Sequence, residues 1–171
     1  MLITGVFGSG KSAVAVEVGE LLEERSTPFA VVDLDVLSWF SSGRGDDDEV
    51  HRVLLLNLAA VRANYLEAGI RWFVLARAIR TWDERRSIEA VLEMPLRVVR
   101  LVVSMEEVER RLRADSTSAR QADLREAADW LAGEEDGMAD LTIANDRPLR
   151  KVAEEILAWL GWGSAEGLRP S

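Results

Sequence analysis

Gly5-Val6-Phe7-Gly8-Ser9-Gly10-Lys11-Ser12 is the stretch that decides the fold. It is a complete G-x-x-x-x-G-K-[ST] phosphate-binding loop, the Walker A pattern. An apolar stub, Met1-Leu2-Ile3-Thr4, precedes it, and a segment of helical spacing runs from Ala13 to Leu22. Strand, Gly-rich turn and helix are the context the motif requires. Gly5, Gly8 and Gly10 allow backbone angles that a Cβ resists, so successive N–H groups can turn inward around an anion. The positive end of the following helix adds to that field. Ser9 and Ala13 complete the expected nucleotide-binding stretch. Lys11 is placed to reach the β- and γ-phosphates, and the Ser12 hydroxyl to ligate magnesium. The chain has 21 basic residues and only two are lysines, Lys11 and Lys151. A nucleoside triphosphate with Mg2+ is therefore the expected ligand.

Working outward, a chain of 171 residues is one domain by length. Its 48% hydrophobic content is that of a soluble globular protein. No apolar run is long enough to span a membrane, and no signal peptide is recognisable. There are no cysteines, which rules out disulfides and thiolate chemistry and fits the cytoplasm. The net charge of −9 disfavours non-specific binding to DNA or RNA.

Apolar runs alternate with helical patterns along the chain. Strands are expected at 1–4, 29–32, 71–75, 97–103 and 141–144, each short and bounded by turn residues or charge. A long helix is expected from about Asp48 to Ala68, with Gly69 just past its end. Thr81-Trp82-Asp83-Glu84 and Ser104-Met105-Glu106-Glu107 read as capping boxes. Pro148 falls in the first turn of a last helix reaching Leu160. This alternation predicts a parallel sheet with helices on both faces, and ligands at the carboxyl ends of its strands.

The second expected strand ends in Asp33-Leu34-Asp35. Asp33 is a candidate for the magnesium shell, directly or through water. Asp35 is a candidate for the acceptor hydroxyl, as orienting group or general base. Capping of a following helix is the competing role for either.

The phosphate loop, Asp33-Leu34-Asp35 and an Arg-rich segment after the fourth strand resemble the small P-loop kinases. That group includes adenylylsulfate, shikimate, gluconate and nucleotide kinases; the chain is most similar to an adenylylsulfate-kinase-like or zeta-toxin-like bacterial ATPase. The resemblance implies a three-layer α/β sandwich with a five-stranded parallel sheet and a small Arg-bearing lid. It implies one kinase domain over residues 1–160, with the lid at about 114–123; composition suggests a flexible tail at 161–171. In such kinases an Arg of the lid helix stacks on adenine or clamps the transferred phosphoryl group. Arg111 and Arg113 match the first part of that pattern. The later Arg falls at Asp115, and Arg120 is the candidate to replace it. Adenylylsulfate kinases carry Asp-Gly-Asp followed by an Arg, whereas this chain has Leu34 and then Ser38-Trp39-Phe40. Ala13 stands where they carry a second hydroxyl residue. The resemblance thus reaches the kinase group and not that substrate.

No carboxylate ends the third strand, which argues against a motor or switch ATPase. Arg77 and Arg80 leave this strand toward the expected site, either to hold an anionic group of the acceptor or as surface arginines. Trp39 lies just past Asp35, either as an aromatic wall for the acceptor or in packing. His51 beside Asp46-Asp47-Asp48-Glu49 is more simply a solvated helix start than a metal site. The expected activity is phosphotransfer from ATP to an alcohol group of a small molecule. Two alternatives stand: a regulatory nucleotide binder without catalysis, and a kinase of polynucleotide ends or nucleotide-sugars. No base-reading motif separates ATP from GTP.

Overall fold

The computed structural model describes residues 1–41, 43, 47–104, 106–107, 110 and 137–162. Arg111, Arg113, Arg120 and the expected lid lie outside them, as does the tail beyond Trp162. The described elements run β1 (Leu2–Thr4), α1 (Lys11–Glu24), β2 (Phe29–Asp33), α2 (Leu34–Leu37), α3 (Asp47–Glu67), β3 (Trp72–Ala76), α4 (Trp82–Leu92), β4 (Val98–Val102), β5 (Leu141–Ala144) and α5 (Leu149–Leu160).

The five strands form one sheet in the order β2-β3-β1-β4-β5, and every described pairing is parallel. This is the α/β architecture read from the alternation of patterns. The chain turns from one half of the sheet to the other beside β1, and such a reversal opens a crevice at the carboxyl ends of the strands. The phosphate loop leaves β1 at that crevice.

Two apolar cores cover the two faces. One packs Val14, Val18, Leu21 and Leu22 of α1 with Val152, Ile156 and Leu157 of α5 on Ile3, Val74 and Val99. The other packs Leu54 and Leu58 of α3 with Ile88 and Leu92 of α4 on Leu2, Phe73 and Leu75. Alternate strand residues feed opposite cores, which is the period-two geometry of a strand. Each fully buried aliphatic side chain contributes about 1.5–3 kcal/mol. Gly19 lets α1 approach β2 closely, because a Cβ there would sit 2.8 Å from Val31 and 2.9 Å from Phe29.

The helix ends follow the capping signals. Thr81 and Glu84 form a reciprocal capping box at α4. Ser104 receives the Glu107 N–H at 3.2 Å, half of the second expected box. Pro148 is the N-cap of α5, and Gly161 ends it at φ 70°. The helix that Asp33 or Asp35 was expected to cap as an alternative role is the short α2: Asp33 ends β2 and also caps α2, accepting the Asp35 N–H. Arg85 ties α4 to the starts of β4 and β5. It donates to the Leu96 carbonyl at 2.8 Å, to the Met138 carbonyl, and to both carboxylate oxygens of Asp140 at 3.2 and 3.0 Å.

Candidate active site

The phosphate loop is held by its own backbone and by β4 and β5. Gly5, Gly8 and Gly10 all have positive φ, at 142°, 75° and 91°. Gly5 has no room for a side chain, since a Cβ would lie 2.5 Å from the Leu101 carbonyl oxygen of β4. Ser9 N–H donates to the Val6 carbonyl at 3.1 Å. Asn145, fully buried just after β5, donates through Nδ2 to the Ser9 carbonyl at 2.7 Å. Thr4 Oγ1 donates to the Ile79 carbonyl and accepts its N–H, so the end of β1 is stitched to the segment after β3. Asn145 and Thr4 were not singled out as site residues. The available signal was a polar residue closing an apolar run; the partner, distant in sequence, was not readable.

Lys11 is only 8% exposed, although α1 opens with it. Its Nζ donates to the carbonyls of Gly5 at 3.1 Å and Val6 at 3.2 Å. It lies 5.4 Å from the centre of the Phe7 ring. The ammonium is thus held inside the curl of the loop, where a phosphate oxygen would compete for its protons.

Ser12 Oγ donates to Asp33 Oδ2 at 2.7 Å, and Asp33 Oδ1 accepts the Asp35 N–H at 3.0 Å. Asp33 therefore caps α2 with one carboxylate oxygen and reaches the phosphate loop with the other. The approach does not come from adjacent strands, because β3 lies between β1 and β2. It comes through the first turn of α1.

Asp35 Oδ1 is 3.1 Å from Arg77 Nη1, which also donates to Ser38 Oγ at 3.1 Å. Ser38 Oγ in turn donates to the carbonyls of Leu34 at 3.2 Å and Asp35 at 3.3 Å. Desolvation raises the Asp35 pKa above the ordinary carboxylate value; Arg77 and then Lys11 pull it back, and the neighbouring Asp33 charge adds to the rise. The carboxylate side chain is 51% exposed, open enough to meet a ligand.

Two clefts flank this centre. One, of 540 Å³, is lined by Phe7, Asp35, Arg77 and Arg80 together with the start of α3 around Asp47 and His51. The other, of 630 Å³, lies beyond β4 and β5 between Ser104, Arg110, Ala144 and Asp146. Both volumes are those of small-molecule sites. Trp39 is set apart: it is 87% exposed and does not line either cleft. Among the described residues, no group of three or more His, Asp or Glu side chains could hold a metal ion.

No family model matches the chain. No curated protein sequence matches it either. Its fold, in contrast, matches many solved structures. A tunicamycin resistance protein of Deinococcus radiodurans superposes with a TM-score of 0.68 at 22% identity, over 95% of each chain. A sugar kinase of Janibacter sp. HTCC2649 gives a TM-score of 0.65 at 22% identity, over 94% of this chain and 92% of its own. A gluconokinase of Sinorhizobium meliloti 1021 gives 0.62 at 20% identity, over 92% of this chain and 88% of its own. The fold is that of the small P-loop kinases.

Proposed function

We propose that the chain is an ATP-dependent kinase that transfers the γ-phosphoryl group to a hydroxyl of a small molecule. The observation that carries this reading is the 2.7 Å contact of Ser12 with Asp33, two residues before Asp35. It joins the phosphate loop to the first of two carboxylates that lie where β2 passes into α2. The similarity to structures described as a sugar kinase and a gluconokinase supports the same class.

Lys11 and the loop amides hold the phosphates, with Gly5, Gly8, Ser9, Gly10 and Ala13 shaping the loop. Ser12 and Asp33 offer adjacent oxygens of the kind that magnesium accepts, and magnesium usually completes its shell with water and phosphate oxygens rather than a protein cage. When bound, the ion would neutralise charge on the phosphate oxygens. Asp35 orients the acceptor hydroxyl and takes its proton. The hydroxyl oxygen then bonds to the γ-phosphorus while the bond to the bridging oxygen breaks, and ADP leaves. Arg77 holds Asp35 in place, and Arg80 borders the acceptor cleft. Arg111, Arg113 and Arg120 are proposed to serve the transferring group, with Arg111 beside adenine. The domain is proposed to span 1–160 with its lid at about 114–123, and the protein to act in the cytoplasm.

Calorimetric titration with Mg·ATP and Mg·GTP tests the binding half, with Lys11→Ala as control. Binding that disappears in the variant supports the site. An absence of binding to either nucleotide would overturn the reading. ADP release across a panel of hydroxyl acceptors tests transfer, and nucleotide binding without transfer to any acceptor would leave a regulatory binder.

A further inference from the structure

Phe7 stands where the phosphate loop meets the cleft beside Asp35. Of the loop residues 5–12, it alone lines that cleft. The backbone fixes its place. Val6 to Ser9 form a β-turn, closed by the Ser9 N–H on the Val6 carbonyl at 3.1 Å, with Gly8 at φ 75° in the third position. That turn favours glycine at its third position and leaves the second, Phe7, at the corner. The centre of the Phe7 ring is 5.4 Å from Lys11 Nζ, and the residue is 39% exposed. Burial raises the Asp35 pKa; Arg77 and then Lys11 oppose that rise, so the lysine charge reaches the carboxylate. An open aromatic side chain thus borders the two charged groups between which a phosphoryl group would be handed over.

Water competes with any acceptor at such a centre. The Asp35 side chain is half exposed, so solvent reaches the group that would take the acceptor's proton. A carboxylate serves a water O–H as it serves an alcohol O–H. The difference lies in what the oxygen is attached to, because an alcohol brings a carbon surface and water does not. Phe7 is the largest apolar side chain of the lining, the others being Val50 and Ala78. Its ring gives a carbon surface a packing partner and gives water only a weak hydrogen-bond acceptor.

We propose that Phe7 is the residue that makes this centre select a carbon-bound hydroxyl over water. The inference rests on the kinase reading and deepens it. Without an acceptor, the ring covers the approach from Asp35 to a phosphate held by Lys11, and ATP is not hydrolysed. With an acceptor, the same ring packs on the carbon that bears the hydroxyl. Once the ring is removed, water takes the acceptor's place. Its oxygen bonds to the γ-phosphorus, the bond to the bridging oxygen breaks, a proton passes to Asp35, and ADP and inorganic phosphate leave.

Water is itself the probe, so the acceptor need not be known. Release of inorganic phosphate from Mg·ATP is followed in the full-length protein without acceptor, with Mg·ATP affinity measured alongside by calorimetry. Phe7→Ala should raise release by roughly ten-fold or more at saturating Mg·ATP. Phe7→Leu keeps an apolar side chain and should give a clearly smaller rise. Both variants lose the aromatic contact with Lys11, so their difference reads coverage alone. Asp35→Asn added to Phe7→Ala should abolish the gain. Parent-like or lower release in Phe7→Ala with Mg·ATP bound overturns the inference. So does an equal rise in Phe7→Leu, or a gain that survives Asp35→Asn. Loss of Mg·ATP binding in Phe7→Ala also overturns it and makes the ring a support of the loop. A parent chain that binds no Mg·ATP overturns the kinase reading, and this inference with it.

Discussion

The phosphate loop and the cleft beside Asp35 share one end of the sheet, but they are held in opposite ways. The loop is fixed by its backbone: three glycines at positive φ, Ser9 clamped by Asn145, and Lys11 folded onto its own carbonyls. The cleft is fixed by side chains from four separate segments, and its central pair, Asp35 and Arg77, is 42 residues apart in sequence. A backbone-built site has few sequence solutions and so leaves a motif. A side-chain-built site can change its lining without changing the fold. One protein can thus carry a phosphate loop that is readable in sequence beside a cleft that only the structure assembles.

The largest effect that separates the two regions is expected at Asp35. Asp35→Asn should lower kcat by roughly 10²–10⁴ while Mg·ATP affinity stays near the parent value, because only the proton acceptor is removed. Equal losses of turnover and nucleotide binding would show that the two regions are one unit. Gly5→Ala should do the reverse, striking the fold at the loop. Its Cβ would meet the Leu101 carbonyl at 2.5 Å in a left-handed backbone conformation. A loss of about 2–4 kcal/mol in denaturant unfolding is expected, from strain and overpacking together. Parent-like stability would mean that β4 and the loop can separate at little cost.

What the sequence made legible follows the same division. The loop, the alternation of strands and helices, the Thr81–Glu84 box and the ends of α5 were readable because each rests on neighbours in sequence. Strand order was not: nothing local says that β3 intervenes between β1 and β2. The double use of Asp33 was hidden for the same reason, since its second partner, Ser12, belongs to another element. Arg77 carried the opposite difficulty. The sequence leaves its position after β3 open between an anion-binding and a surface role, and only the structure shows Asp35 and Ser38 as its partners. Trp39, open in the sequence between an aromatic wall and a packing residue, lies past the end of α2 and is largely exposed; the aromatic side chain that lines the cleft is Phe7, inside the motif itself.

A smaller effect tests whether Arg77 acts through Asp35. Burial holds the Asp35 pKa above its usual value and Arg77 opposes that rise. Transfer needs the carboxylate, so activity should increase as pH climbs through the raised pKa, with an acid limb above that of an ordinary aspartate. Arg77→Gln removes the opposing charge and should move that limb to higher pH. The stability sign is opposite. A carboxyl group with a raised folded-state pKa binds its proton more strongly when folded, so its contribution to stability falls as pH rises from the unfolded to the folded pKa. An acid limb unmoved by Arg77→Gln, with acceptor KM raised instead, would make Arg77 a ligand-binding residue.

The smallest expected effect lies at the edge of the cleft. Thr81 caps α4, and Glu84 returns the bond while also accepting the Arg80 N–H at 2.8 Å. The same few atoms therefore start the helix and set the positions of Arg80, Asp83 and Glu84 on the cleft wall. Thr81→Ala should cost about 1 kcal/mol of stability, the usual value of an N-cap. If the cleft is positioned by side chains as described, acceptor KM should rise in that variant while Mg·ATP affinity does not change. A stability loss with no change in acceptor KM would show that the wall is held independently of the cap, by the Arg85 contacts deeper in α4.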